Sequence, residues 1–114
     1  TVRQLGTKVF NSSKSKYLIL KLGERGTITF RKSALLPRDF FPLESMVEKF
    51  EDGIGAGDAL LAASSLGLIA SKNIVIASIL GTLAASIACE TRGNKSIDIE
   101  NLLKKIKDIS NKVN

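Results

Sequence analysis

Asp52-Gly53-Ile54-Gly55-Ala56-Gly57-Asp58, running on into Ala59-Leu60-Leu61-Ala62-Ala63, is the stretch that decides how this chain is read. Gly55 and Gly57 have no side chains, so their peptide N–H groups stay unshielded and a partner can approach the backbone closely. The alanine- and leucine-rich run behind them predicts a helix opening at Ala56. The first amides of a helix have no partner within it, and its dipole favours negative charge at that end. Together these features suit an anion such as phosphate, with the Asp58 carboxylate beside it. The same letters also fit a plain turn in which Asp58 is an ordinary first-turn acid, favoured by the dipole alone. Two other glycine-rich patterns are excluded. A dinucleotide fingerprint would need glycine where Asp58 stands, counting from Gly53 and Gly55. A Walker A loop would end in Gly-Lys-Ser/Thr, which the chain lacks.

Working outward, Val2 to Phe10 predicts the end of a helix, with Val2, Leu5 and Val9 on one face. Asn11 to Lys16 reads as loop. Tyr17 to Leu22 is a continuous apolar run, expected for a strand buried on both faces. Gly23-Glu24-Arg25-Gly26 is a turn, and Thr27 to Phe30 is the returning strand of a hairpin. Leu35-Leu36-Pro37 and Phe40-Phe41-Pro42 predict short extended pieces, because proline pushes its predecessor out of helical geometry. Ser45 to Phe50 suits either a strand leading to the glycines or a helical turn. The first helix after the glycines should run from Ala56 to Ile69, ending near Gly67 or Ser71. Asn73 should cap a second helix through Cys89, terminated by Gly93-Asn94. Asp98 should cap a third, amphipathic helix with Leu102, Leu103, Ile106 and Ile109 on its buried face. Strands followed by three helices suit one part of a layered α/β fold.

At 114 residues there is room for one domain at most. The net charge of +6 raises a nucleic-acid surface as a function class. Asp98, Glu100 and Asp108 interrupt the basic run at Lys104, Lys105, Lys107 and Lys112, and no aromatic residues interleave with it. A solvated helix face is therefore expected, and no nucleic-acid partner. The chain has no histidine, which removes Ser-His-Asp and Cys-His catalysis and most zinc chemistry. Its single cysteine, Cys89, sits in an apolar run and reads as a small buried hydrophobe in a reduced, cytoplasmic setting. Ile74 to Cys89 is broken by Ser78, Gly81, Thr82 and Ser86 and reads as a buried helix, not a membrane span.

Gly55-Ala56-Gly57-Asp58, preceded by Asp52, resembles the second signature of the ribokinase-like (PfkB) carbohydrate kinases. Leu18-Ile19-Leu20-Lys21-Leu22-Gly23-Glu24-Arg25-Gly26 resembles the family's strand and Leu-Gly-x-x-Gly turn beside the nucleotide. Arg92-Gly93-Asn94 falls where the family closes the nucleotide site, and the Gly-Asn pair is similar to the sugar- and heptose-phosphate kinase branch. The resemblance runs from about Tyr17 to the C-terminus. It implies a ribokinase-like, Rossmann-like three-layer α/β/α sandwich, of which residues 1–114 are the C-terminal nucleotide-binding portion carrying the base. The family's sugar-binding signature is absent, so the stretch is expected to be inactive alone.

The reaction implied is transfer of the γ-phosphoryl of ATP to a sugar or sugar-phosphate hydroxyl. Asp58 would be the catalytic base, and the amides of Gly55, Ala56 and Gly57 the anion hole. Lys21, Gly23, Gly26, Thr82 and Gly93 would border the nucleotide. Lys21 stands where many members have threonine, so it either meets phosphate or points to solvent. For Gly23 and Gly26 a plain hairpin turn is an equal explanation. Mg²⁺ would accompany ATP, with ligands outside this stretch. Asp52 and the Ile54 carbonyl match positions that bind a monovalent cation such as K⁺, completed by carbonyls near Ala88 and Gly93. Asp52 equally suits a turn in which it bonds nearby amides. A catalytically incomplete nucleotide-binding or interaction module is the alternative. Apolar edges left by a missing part of the sheet would favour a homodimer.

Overall fold

The computed structural model describes residues 1–32, 40–90 and 98–113, leaving aside the side chains at 106, 109, 110, 112 and 113. The chain divides into two units, Thr1–Ser45 and Met46–Asn114.

The first unit opens with α1 (Val2–Ser13), started by a capping box. The Thr1 hydroxyl accepts from the Gln4 amide, while the Gln4 side chain accepts from the Thr1 amine. The helix runs further than the expected Phe10. Ser12 and Ser13 turn their hydroxyls back onto the carbonyls of Val9 and Phe10, and Lys14 ends the helix at φ 57°. Three antiparallel strands follow in the order β1 (Tyr17–Lys21), β2 (Thr27–Arg31) and β3 (Phe40–Leu43). Tyr17 pairs with Arg31 and Lys21 with Thr27 across the first hairpin. Thr27 pairs with Leu43 and Phe30 with Phe40 across the second contact. β1 lies at the edge of this sheet and is only half-buried from Tyr17 to Leu20, not covered on both faces as its composition suggested. Pro42 sits on β3, also an edge strand here, where a missing N–H costs no ladder bond.

Phe30, 2% exposed, is the hub of this unit. Its ring lies 6.1 Å from Phe10 and 6.3 Å from Phe40, spacings typical of tilted aromatic pairs. Gly6 is required beneath it, because a Cβ there would collide with the Phe30 ring. The buried residues of α1 are thus Gly6 and Phe10, while the expected face of Val2, Leu5 and Val9 is exposed.

In the second unit, the segment before the glycines is neither the strand nor the helical turn expected for Ser45 to Phe50. Its Glu48 amide, and the Glu51 and Asp52 amides that follow, turn instead to Glu90 and Cys89. α2 (Ala56–Ser71) and α3 (Ile74–Cys89) are joined by only Lys72 and Asn73. Lys72 ends α2 at φ 57° and donates its amide to Leu68. Asn73 caps α3 as expected, its Oδ1 accepting from the amides of Val75 and Ile76 at 2.9 and 3.3 Å.

The two helices pack antiparallel on small residues. Gly67 faces Ala77 and Leu80, Gly81 faces Ser64 and Leu60, and Ala56 clusters with Ala85 and Ala88. α3 is buried from Gly81 to Ala88, and Cys89 packs half-buried against the alanine cluster. Among the described residues, no helix is long and apolar enough to cross a membrane.

α4 (Ile99–Val113) starts at Asp98, whose Oδ1 accepts from the Asn101 amide at 2.7 Å. Its buried face differs from the expected one. Leu102 is half-buried, but Leu103 is 60% exposed. The side chains of Ile106 and Ile109 lie outside those described, and the expected extended piece Leu35-Leu36-Pro37 lies outside the described residues altogether.

A Cβ at Gly81 would stand 2.9 Å from the Ser64 Cβ and 3.1 Å from the Leu60 carbonyl oxygen. Gly81→Val should therefore force α2 and α3 apart and lower stability by about 1–3 kcal/mol, read by urea denaturation.

Candidate active site

The glycine turn owes its shape to bonds within itself and to the end of α3. Asp52 uses Oδ1 to accept from the Ile54 amide at 3.0 Å, which curls the chain as an Asx turn does. Gly55 sits at φ 83°, a left-handed conformation that glycine adopts without steric cost, and forms the N-cap of α2. The Ala59 amide closes the first helical bond onto the Gly55 carbonyl at 2.9 Å. The Ala56 amide is drawn to the Gly53 carbonyl at 3.3 Å. Among the described residues, the amides of Gly55 and Gly57 meet no acceptor. Two of the three expected anion-hole amides are thus open, and the third is shared with the chain's own carbonyl.

Ala56 itself is buried against Ala85 and Ala88, so only its main chain is available to a ligand. Asp58 is exposed in the first turn of α2 and borders a groove of about 600 Å³ within this unit. The groove is lined along α2 by Gly55, Ala59 and Leu66, by Leu80 of α3, and by Asp98 and Ile99 at the start of α4. Its wall is mostly apolar. The Asp58 residue and the Gly55 backbone therefore border the same groove.

The antiparallel packing of α2 on α3 brings the turn to the C-terminal end of α3. There the Cys89 carbonyl accepts from the amides of Glu51 and Asp52 at 2.7 and 3.0 Å. Asp52 is thereby tied to the last turn of α3, the stretch in which a carbonyl near Ala88 is expected to complete a cation site. Among the described residues, no group of three or more histidine, cysteine, aspartate or glutamate side chains could hold a metal ion.

The remaining expected residues divide between the units. Lys21, Gly23 and Gly26 are brought together by the β1–β2 connection, a single 3-10 turn over Gly23–Arg25. Lys21 is exposed at the end of β1, and Gly23 is exposed at φ 61° with open space about it. Gly26 is buried at φ 95°, and a Cβ there would run into the Leu43 carbonyl and the Ser45 amide. Its lack of a side chain is accounted for by the chain's own backbone. Thr82 lies in the buried stretch of α3, its carbonyl accepting from the Ser86 hydroxyl at 2.8 Å. Arg92, Gly93 and Asn94 lie outside the described residues.

One cluster was not foreseen. Lys105 is not on a solvated face but only 7% exposed, with Nζ 2.7 Å from Glu90 Oε1 and 4.0 Å from Glu48 Oε1. A buried ammonium needs such partners. The available signal was its position three residues after Leu102, on the same side of α4.

The sequence model of the PfkB family carbohydrate kinases matches residues 2–101. No curated protein sequence matches the chain. Among solved structures, ribokinase from Thermotoga maritima is similar over 94% of this chain and 35% of its own, at 28% identity and a TM-score of 0.80. Phosphofructokinase-2 from Escherichia coli, in complex with potassium, is similar over 96% of this chain and 34% of its own, at 22% identity and a TM-score of 0.79. A microbiome-derived acarbose kinase is similar over 91% of this chain and 36% of its own, at 24% identity and a TM-score of 0.69. The chain spans about a third of the length of each of these structures. The architecture expected from the strand-then-helix order is therefore ribokinase-like α/β, and the chain belongs to the PfkB family of carbohydrate kinases.

Proposed function

We propose that residues 1–114 form the portion of an ATP-dependent sugar or sugar-phosphate kinase that carries its catalytic base and anion hole. The observation that supports this most directly is the pair of open amides at Gly55 and Gly57, one turn from Asp58 at the rim of the groove. In the proposed step the acceptor hydroxyl oxygen bonds to the γ-phosphorus of ATP. The bond from that phosphorus to the bridging oxygen breaks, and ADP leaves. The hydroxyl proton passes to the Asp58 carboxylate. The amides of Gly55 and Gly57, aided by that of Ala56, stabilise negative charge on the transferring group. Catalysis then rests on positioning and electrostatics more than on covalent chemistry.

By the resemblance, Lys21, Gly23 and Gly26 are proposed nucleotide contacts, as are Thr82, for the adenine, and Gly93, in the Gly-Asn pair that closes the nucleotide site. Mg²⁺ bound with the nucleotide would neutralise phosphate charge, and no residue here is assigned to it. The second carboxylate oxygen of Asp52, the Ile54 carbonyl and carbonyls near Ala88 and Gly93 would make an oxygen-only set, suited to a hard cation such as K⁺. The potassium complex of Escherichia coli phosphofructokinase-2 adds support to that reading. A nucleotide-dependent reaction and a single free cysteine suit the cytoplasm.

In the complete protein carrying this chain, a panel of sugars and sugar phosphates with ATP should reveal phosphoryl transfer to at least one acceptor. Asp58→Asn should lower kcat by about 100-fold or more while leaving nucleotide affinity within a few-fold. Parent-like turnover in that variant would remove Asp58 from the chemistry. Residues 1–114 alone should bind nucleotide without turnover. Acceptor phosphorylation by the isolated stretch would show that the acceptor site lies within it.

A further inference from the structure

The segment that enters the glycine turn is held by side chains that do not line the groove. The Glu48 amide donates to Glu90 Oε2 at 3.4 Å, and Lys105 Nζ grips the other oxygen, Oε1, at 2.7 Å. One residue before Glu90, the Cys89 carbonyl takes the amides of Glu51 and Asp52. Asp52 then fixes Ile54, and Gly53 takes the Ala56 amide. A continuous path of bonds thus leads from α4, through the end of α3, to the amides that open α2.

Glu90 is an awkward residue for this position. It caps the C-terminal end of α3, where the helix dipole disfavours an anion. A buried cation at Lys105 offsets that repulsion and holds the carboxylate in one orientation. In that orientation Oε2 accepts from the Glu48 amide. The second contact of Lys105, to Glu48 Oε1 at 4.0 Å, draws the same residue from its side chain.

The geometry points to Lys105 as a positioning residue: acting through Glu90, it sets the path of residues 48–52 and hence the presentation of the Gly55 and Gly57 amides to a phosphoryl group. This rests on the anion-hole reading above, and the test separates the two.

Amide hydrogen exchange by NMR is the direct readout, applied to the parent chain, Lys105→Met, Lys105→Arg and Glu90→Gln. Lys105→Met and Glu90→Gln should each speed exchange at Glu51 and Asp52 by about tenfold or more, while amides in the middle of α2 and α3 hold their parent rates. Lys105→Arg, which keeps the charge, should restore most of the protection. Titration with inorganic phosphate should shift the Gly55 and Gly57 amides in the parent and do so more weakly in Lys105→Met. Parent-like exchange at Glu51 and Asp52 in both charge-removing variants would overturn the proposal. A uniform rise across the whole unit would overturn it too, since Lys105 would then be a general strut. Missing phosphate shifts in the parent would defeat the anion-hole reading alone, and the exchange comparison would still decide the role of Lys105.

Discussion

Helices approach to backbone contact only where side chains are small, and α2 and α3 meet on such residues at several levels. Gly67 and Gly81 leave no room for a Cβ, and Ala56, Ala85 and Ala88 close the far end of the pair. With only Lys72 and Asn73 between them, the helices are forced antiparallel. The amide-rich start of α2 is then set beside the carbonyl-rich finish of α3. Opposite dipole ends lie side by side, one offering hydrogen-bond donors and the other acceptors. That pairing suits a place where an anion and a cation are handled together.

Local chemistry made much of this visible in advance. Asn73 and Asp98 each cap a helix within three residues of themselves, so their roles needed no knowledge of the rest of the fold. The Gly23–Gly26 turn is equally local, and the hairpin it joins pairs as its strand pattern implied. Gly55 and Gly57 stood out for the same reason. What escaped depends on partners far along the chain. The amides of Glu48, Glu51 and Asp52 take acceptors about forty positions away, a relation no periodicity records. Lys105 looked like its neighbours in a basic run, because nothing in the letters shows that Glu90 waits at the end of another helix. The exposure of Val2, Leu5, Val9 and Leu103 has the same origin: an apolar row predicts a buried face but not what covers it.

The glycines carry two different meanings. Gly26 would be needed whether or not any ligand approached, since the Leu43 carbonyl occupies the space of its missing side chain. Gly23 has open space around it and needs only its left-handed backbone, which asparagine can also adopt. Similar letters three positions apart thus answer to different constraints. Only the surroundings tell them apart.

The anchor at the end of α3 is a main-chain oxygen. The side chain at position 89 plays no part in it, and any residue that keeps the helix intact would offer the same carbonyl to Glu51 and Asp52. Such a tether leaves no imprint on the letters of a gene. It can persist through wide divergence at that codon, and an alanine scan would pass over it without a signal.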